Sequence, residues 1–270
     1  MLFRSRVAGA TEVTTLRVAY LPSGVPLPTA FETDAPSKLL KVAKTLWPET
    51  VETAGKLSEK AGEAYVVDDI RLPVTNPWKA PMFTSAFDFL PDGRAVVCTF
   101  HGDVFVASGI DARLEKVVWR RFAAGLYHPL GLKVANGEIY VTCRDGVWRL
   151  RDTDGDGECD TYEAFNFDLM VTKSFHEFTF DLQTDPAGNF YVIKAGPVRK
   201  GGRGFDEICD HHGVLLRISP DGRKSEVVAT GFRAPNGIAV SPSGQITTGD
   251  NEGTWTPVCR LNWIKQGGFY

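Results

Sequence analysis

The sequence has no apolar run approaching the roughly 20 residues of a membrane-spanning helix, so no span is expected in this chain. It has no excess of one charge: 30 Lys+Arg face 33 Asp+Glu, a formal net charge of −3. That balance removes the electrostatic reason for binding nucleic acid or an anionic membrane. Cysteines are few and scattered, at Cys98, Cys143, Cys159, Cys209 and Cys259, with no CxxC between them. The absence of CxxCH excludes a c-type haem attachment site within the chain, and the five read as reduced, buried thiols. The opening residues, MLFRSRVAGATEV, carry early arginines but no apolar core, and do not read as a signal peptide. Both ends are expected to be truncations of a longer chain.

What is present points to a β-rich globular fold. The 270 residues are enough for one large domain or two small ones. They include 17 Phe, 7 Tyr and 6 Trp, ample material for a core and incompatible with disorder as the main state. Twenty-seven Gly and 16 Pro imply many turns.

Residues 1–64 differ in texture from the rest. SKLLKVAKTLW spaces Leu39, Leu40, Ala43 and Leu46 as a helix would, and Pro48 would end that helix. ETAGKLSEKAGEA follows. The segment 1–64 is expected to be an N-terminal lead-in, partly helical or irregular, ahead of a domain over 65–270.

From Tyr65 onward one pattern recurs: apolar alternation, a turn containing Gly, then a β-branched or aromatic run. It appears in AFDFLPDGRAVVCT (86–99), LGLKVANGEIYVTC (130–143), FTFDLQTDPAGNFYVIK (178–194) and NGIAVSPSGQITTG (236–249). Each is a hairpin signal. The turn glycines Gly93, Gly137, Gly188 and Gly244 are spaced by 44, 51 and 56 residues. Further strands are expected at 103–107, 146–150 and 213–218. A repeat of about 40–50 residues per four-stranded unit marks a β-propeller. A blade has two apolar faces and buries both only between neighbours. The expected fold is therefore all-β, a β-propeller of four-stranded blades. Four countable blades are fewer than the usual closed ring, so a truncated piece of a six-bladed ring is expected. A β-sandwich is the alternative.

The segment DTDGDGECDTYE has the spacing of an EF-hand calcium loop. Asp152, Asp154, Asp156, Asp160 and Glu163 stand at loop positions 1, 3, 5, 9 and 12, Gly157 at position 6, and the backbone carbonyl of Glu158 at position 7. So many close carboxylates repel one another without a cation. GVWRL before the loop reads as a strand, so the loop is expected to join two propeller strands and staple them through calcium. Glu163 is the ligand that most depends on an exiting helix. A solvated acidic turn is the alternative.

Two further motifs lie where blade loops converge on a propeller's mouth: Phe175-His176-Glu177, and GFRAPNG over 231–237. The run ISPDGRKSEVVATGFRAPNGIAVSPSGQITTGDNEG, followed by LNWIKQGGFY, resembles the glucose/sorbosone dehydrogenase type of quinoprotein. The resemblance covers 83–270. It is also similar to uncharacterised propeller domains of large secreted bacterial proteins that sit beside c-type cytochrome domains, through DHHG (210–213) and RGFDE (203–207). The resemblance implies a six-bladed propeller binding pyrroloquinoline quinone and calcium at its axial mouth. His176 matches the base that takes the sugar hydroxyl proton, and Arg233 matches the quinone-contacting arginine, with Ala234 where that family has Asn. Asn236, Asp250 and Asn251 fall where the cofactor and its calcium are held, although Gly249-Asp250-Asn251-Glu252 departs from that family's residues.

The implied function is sugar or alcohol dehydrogenation, with a sugar or polyol as substrate, electrons passing to a c-type cytochrome partner, and a periplasmic or secreted location. The residues also admit plainer roles. His176 can be a hydrogen-bonded blade histidine and Arg233 a tie between blades. The adjacent pair His211-His212 cannot complete a metal site alone. The basic stretch 198–204 reads as a loop that can lie over the channel. The alternative function is a non-catalytic, calcium-stabilised propeller that binds carbohydrate or protein.

Overall fold

Local turn chemistry sets the hairpins. Asn136 and Gly137 both have positive φ (52° and 78°), the backbone of a two-residue type I′ turn, whose twist matches its flanking strands. They join β6 (Gly131–Ala135) to β7 (Glu138–Cys143). At the Pro-Asp-Gly turn the Asp92 carboxylate accepts the Arg94 N–H at 3.1 Å and Gly93 takes φ 87°. That turn joins β2 (Thr84–Phe89) to β3 (Ala95–Thr99). The other two expected hairpins are β10 (Thr179–Thr184) with β11 (Phe190–Lys194), and β14 (Pro235–Val240) with β15 (Ile246–Asp250).

The computed structural model describes residues 45–60, 62–253 and 258–270, together with residues 24 and 26. All the regular structure of those residues is β. The helical spacing at Leu39, Leu40 and Ala43 lies outside the described residues. The remaining strands are β1 (Thr50–Thr53), β4 (Val104–Ser108), β5 (Val117–Ala123), β8 (Gly146–Arg151), β9 (Thr161–Asn166), β12 (Val214–Ile218), β13 (Ser225–Thr230), β16 (Arg260–Ile264) and β17 (Gly268–Phe269). They form four sheets, ordered β1-β5-β4-β3-β2, β6-β7-β8-β9, β10-β11-β12-β13-β17 and β14-β15-β16. Within each sheet the pairing is antiparallel, except that β17 runs parallel to β13.

The sheets are propeller blades. Their first-hairpin strands lie side by side, β2 by β6, β6 by β10 and β10 by β14. Each seam between blades holds its own core. In β3, Val96 and Cys98 face Leu132, Val141 and Leu150 of the second blade, while Ala95 and Val97 turn to Phe105 and Trp119 on the other face. This is the two-residue period of a strand buried on both sides. Tyr140 and Val147 meet Phe190 and Leu216 at the next seam, and Ile193 and Leu215 meet Ile238 and Ile264 at the last.

β1 lies inside the segment expected as a lead-in. It pairs with β5, Val51 opposite Trp119, and Thr53 Oγ1 accepts the Trp119 indole N–H at 3.0 Å. The unit that carries the blades runs over 45–270.

Carboxylates on the inner strands clamp neighbouring blades. Asp88 on β2 accepts the Val134 N–H of β6 at 2.9 Å, and Asp181 on β10 accepts the Ile238 N–H of β14 at 2.8 Å. Both satisfy a main-chain donor at the inner edge of a sheet, where no further strand supplies an acceptor. Asp181→Ala should cost about 1–3 kcal/mol, the range for a hydrogen bond to a charged acceptor or a donor left unsatisfied. Urea unfolding measures this, and an unchanged midpoint would show that the clamp contributes nothing.

Candidate functional site

The connection from β9 to β10 carries His176, and the residues just ahead of β14 carry Arg233. A tight turn, Phe178 N–H to His176 O at 3.0 Å, fixes the backbone after the histidine. The imidazole stacks on Phe175 (centroids 4.1 Å apart, planes 29° apart) and makes no hydrogen bond to another described residue. Arg233 is tied on three sides. Its N–H donates to Asp250 Oδ2 at 3.0 Å, its Nη2 donates to Gly202 O at 2.8 Å, and its carbonyl accepts the Gly196 N–H at 2.8 Å.

His176, Arg233, Asn236, Asp250 and Asn251 all line one cleft of about 680 Å³. Phe180 and Ala195 add apolar wall, and Val198 and Gly202 bring the basic stretch 198–204 to the rim. The five residues expected for base and cofactor contacts therefore share one cavity, although three blade segments supply them.

Their availability differs. Asn236 is exposed. Asp250 is 1% exposed, and its second oxygen accepts the Ala234 N–H at 2.8 Å. Arg260 Nη2 stands 3.4 Å from Oδ2, the oxygen that takes the Arg233 N–H. Through these two main-chain bonds Asp250 shapes the turn that presents Arg233. Asn251 Oδ1 accepts the Glu252 N–H at 2.8 Å.

The acidic loop joins β8 to β9, two strands, as expected. Asp152, Asp154 and Asp156 each bring one carboxylate oxygen within 4.8 Å of the others. Asp152 also accepts N–H bonds from Gly155 at 2.7 Å and Gly157 at 2.9 Å, which curl the loop. Asp160 closes it by accepting the Thr153 N–H at 2.6 Å and its hydroxyl at 2.9 Å; these bonds hold its carboxyl below the usual value. The Glu158 side chain is turned away and buried, accepting the N–H groups of Leu46 and Trp47, both at 2.7 Å.

Glu163 does not join the cluster. The loop exits into a strand, so residue 163 lies opposite Arg149 in the β8–β9 register and takes the Arg149 Nε–H at 2.9 Å. Without an exiting helix, nothing swings its carboxylate back over the loop. The geometry keeps the first three EF-hand positions together and loses the twelfth.

Behind His176 lies a buried ionic cluster that sequence reasoning missed. Glu177 and Lys194 are both fully buried and form an ion pair. Lys194 Nζ also donates to Met170 O at 2.6 Å. Glu177 accepts the Thr172 N–H on both oxygens, at 3.1 and 2.9 Å, and the Thr172 hydroxyl. His212 Nε2 lies 3.1 Å from Glu177 Oε2, off the line of a well-formed hydrogen bond. Its Nδ1 accepts the Cys209 N–H at 3.0 Å, which places the ring proton on Nε2. Burial pushes the Glu177 carboxyl up, but Lys194, Thr172 and His212 outweigh it and hold it below its ordinary 4.5. Burial dominates at Lys194 and lowers its ammonium, against the pull of Glu177. The neighbouring His211 faces elsewhere and accepts the Met170 N–H at 3.1 Å.

The chain matches no protein-family model and no curated protein. Solved structures do share its architecture. The PQQ-bound aldose sugar dehydrogenase of Streptomyces coelicolor superposes with a TM-score of 0.53 at 17% identity, over 70% of this chain and 61% of that one. The soluble aldose sugar dehydrogenase of Escherichia coli, in its apo form, gives 0.52 at 14% identity, over 70% and 62%. The calcium structure of the Trichoderma reesei protein of Carbohydrate-Active Enzymes Family AA12 gives 0.57 at 13% identity, over 86% and 62%. The class these likenesses define is a fold, the propeller on which sugar dehydrogenases of the quinoprotein type are built. This chain spans about three-fifths of the length of each.

Proposed function

We propose that the cleft between His176 and Arg233 is the site of a quinoprotein-like sugar or alcohol dehydrogenase that takes an aldose or polyol. The observation that carries the reading is the convergence of His176, Arg233 and Asn236 on one cavity. The donor set fits pyrroloquinoline quinone, a planar polycarboxylate. Arg233 keeps guanidinium N–H groups beyond the one given to Gly202 O, Asn236 offers an amide, and Phe180 an apolar wall. Arg233 and Asn236 would hold the group.

When bound, that quinone supplies the two-electron acceptor. The chain's own share is acid–base and electrostatic. His176, with no competing hydrogen bond among the described residues, accepts the substrate hydroxyl proton. Arg233, held rigid by Asp250 and Gly202, presents fixed positive charge to developing negative charge. Delivery of the electrons to a c-type cytochrome partner, and a periplasmic or secreted location, belong to the same reading.

The test is reconstitution with pyrroloquinoline quinone and calcium, followed by quinone binding and dye reduction with aldoses and polyols. Saturable binding with substrate-dependent reduction is expected. Absence of binding would favour the second reading, a non-catalytic propeller that presents a carbohydrate- or protein-binding surface.

Calcium in the acidic loop is part of the proposal, held by Asp152, Asp154 and Asp156 with the Glu158 carbonyl. Three carboxylates this close favour a divalent cation, with water completing the six to eight oxygens calcium takes. Asp154→Ala with Asp156→Ala should lower the melting temperature in calcium and change little in chelator. Equal melting of variant and wild type in saturating calcium would remove the ion from the loop.

A further inference from the structure

His176 owes little of its position to its own side chain. Among the described residues the ring has one stacking partner, Phe175, which is itself 50% exposed. What holds the residue is the backbone on its C-terminal side, and that backbone is anchored through Glu177. The Glu177 carboxylate grips two separate segments, Thr172 on the approach to His176 and Lys194 at the end of β11, and lies 3.1 Å from His212 Nε2 near the start of β12. Ala195, next to Lys194, lines the cleft, so the clamp spans two sides of the cavity from behind.

We propose that Glu177 is a positioning residue for His176, acting through its grip on Thr172 and Lys194. The inference rests on reading His176 as the cleft's base, and it names what holds that base in place. His176 lines the cavity while the next residue, Glu177, is fully buried behind it. A buried ion pair is a weak source of net stability, but it constrains the segments that supply it.

The test separates positioning from folding. Removing Glu177 alone strands the Lys194 charge, so the variants are made with Lys194→Met. Glu177→Gln in that background keeps an acceptor for the Thr172 N–H; Glu177→Leu does not. The readout is the imidazole carbon-bound proton resonance of His176 in NMR, assigned by its loss in His176→Ala, with His101 as the control for the fold. Within the Lys194→Met background the Gln variant should keep the His176 resonance of the Lys194→Met parent. The Leu variant should shift it toward the free-imidazole position while His101 stays put.

A folded Leu variant with an unmoved His176 would overturn the proposal. If that variant does not fold, Thr172→Val in the wild-type chain takes its place. It removes the hydroxyl contact to Glu177 together with the bond that the same oxygen accepts from the Ser174 N–H at 3.2 Å, and a smaller shift in the same direction is expected; no shift would overturn the proposal. The measurement needs no quinone and no substrate, so failure of the dehydrogenase reading and failure of this one are told apart. Where turnover is measurable, the Leu variant should lose up to about 10²-fold in kcat with KM little changed, the cost of about 1 Å of misplacement.

Discussion

Replacing Lys194 with methionine, with nothing else changed, should cost about 3–5 kcal/mol of stability at neutral pH, the usual result of removing one partner of a buried ion pair. The Glu177 carboxylate would remain, fully buried, with only the Thr172 N–H and hydroxyl donating to it. For a domain of about 200 residues each kcal/mol is worth about 2–4 °C, so the melting temperature should fall by about 6–20 °C.

The sign of the pH dependence identifies the cause. In the wild type the folded pKa of Glu177 is depressed, so its contribution is present above its ordinary 4.5 and is lost as pH falls through the folded value. Without Lys194, burial is left as the main influence and raises that pKa. The folded variant then binds the proton more readily than the unfolded chain, and its stability improves relative to wild type as pH falls. Urea unfolding at pH 7 and pH 5 should show the deficit shrinking at the lower value. A deficit equal at both would mean that lost packing, and not a stranded charge, is responsible.

The hairpins were legible because their causes are local. Pro-Asp-Gly at 91–93 and Asn136-Gly137 specify their turns whatever packs around them, and the alternation on either side assigns the faces. The strand β1 was not legible. Four residues, TVET, carry too short a pattern, and the partner that makes them a strand is β5, far along the chain. The same division runs through the site. Short motifs place His176, Arg233 and Asn236 at blade junctions, and the three line one cleft. The spacing of the acidic loop anticipated the clustering of Asp152, Asp154 and Asp156, but not the direction of Glu163, which depends on the register of β9 against β8.

Asp250 and Lys194 show the remaining limit. A sequence gives a charged residue's position in a strand but not its partners. The bonds from the Asp250 oxygens to the Arg233 and Ala234 N–H groups are not legible in its strand position. Lys194 reads as an ordinary strand end until it is found sealed against Glu177. Both belong to the support behind the cleft, which only three-dimensional contact reveals.

His176→Ala should leave quinone binding nearly unchanged and reduce substrate oxidation by about 10²–10⁴-fold, the contribution of a well-placed general base. Loss of folding would not account for such a fall. The ring is half-buried, stacks only on Phe175 and carries no hydrogen bond to a described residue, so its removal should cost no more than about 1 kcal/mol. Arg233→Met makes the contrast. It removes the guanidinium while Asp250 still receives the two main-chain N–H groups that shape the turn, so the cleft persists but its positive charge does not. That variant should bind pyrroloquinoline quinone more weakly, with the deficit appearing before any catalytic step. The two changes thus divide the cleft between proton transfer at one wall and anion binding at the other. If His176→Ala turns over at the wild-type rate while Arg233→Met loses the quinone, the cleft binds the cofactor but draws its base from elsewhere.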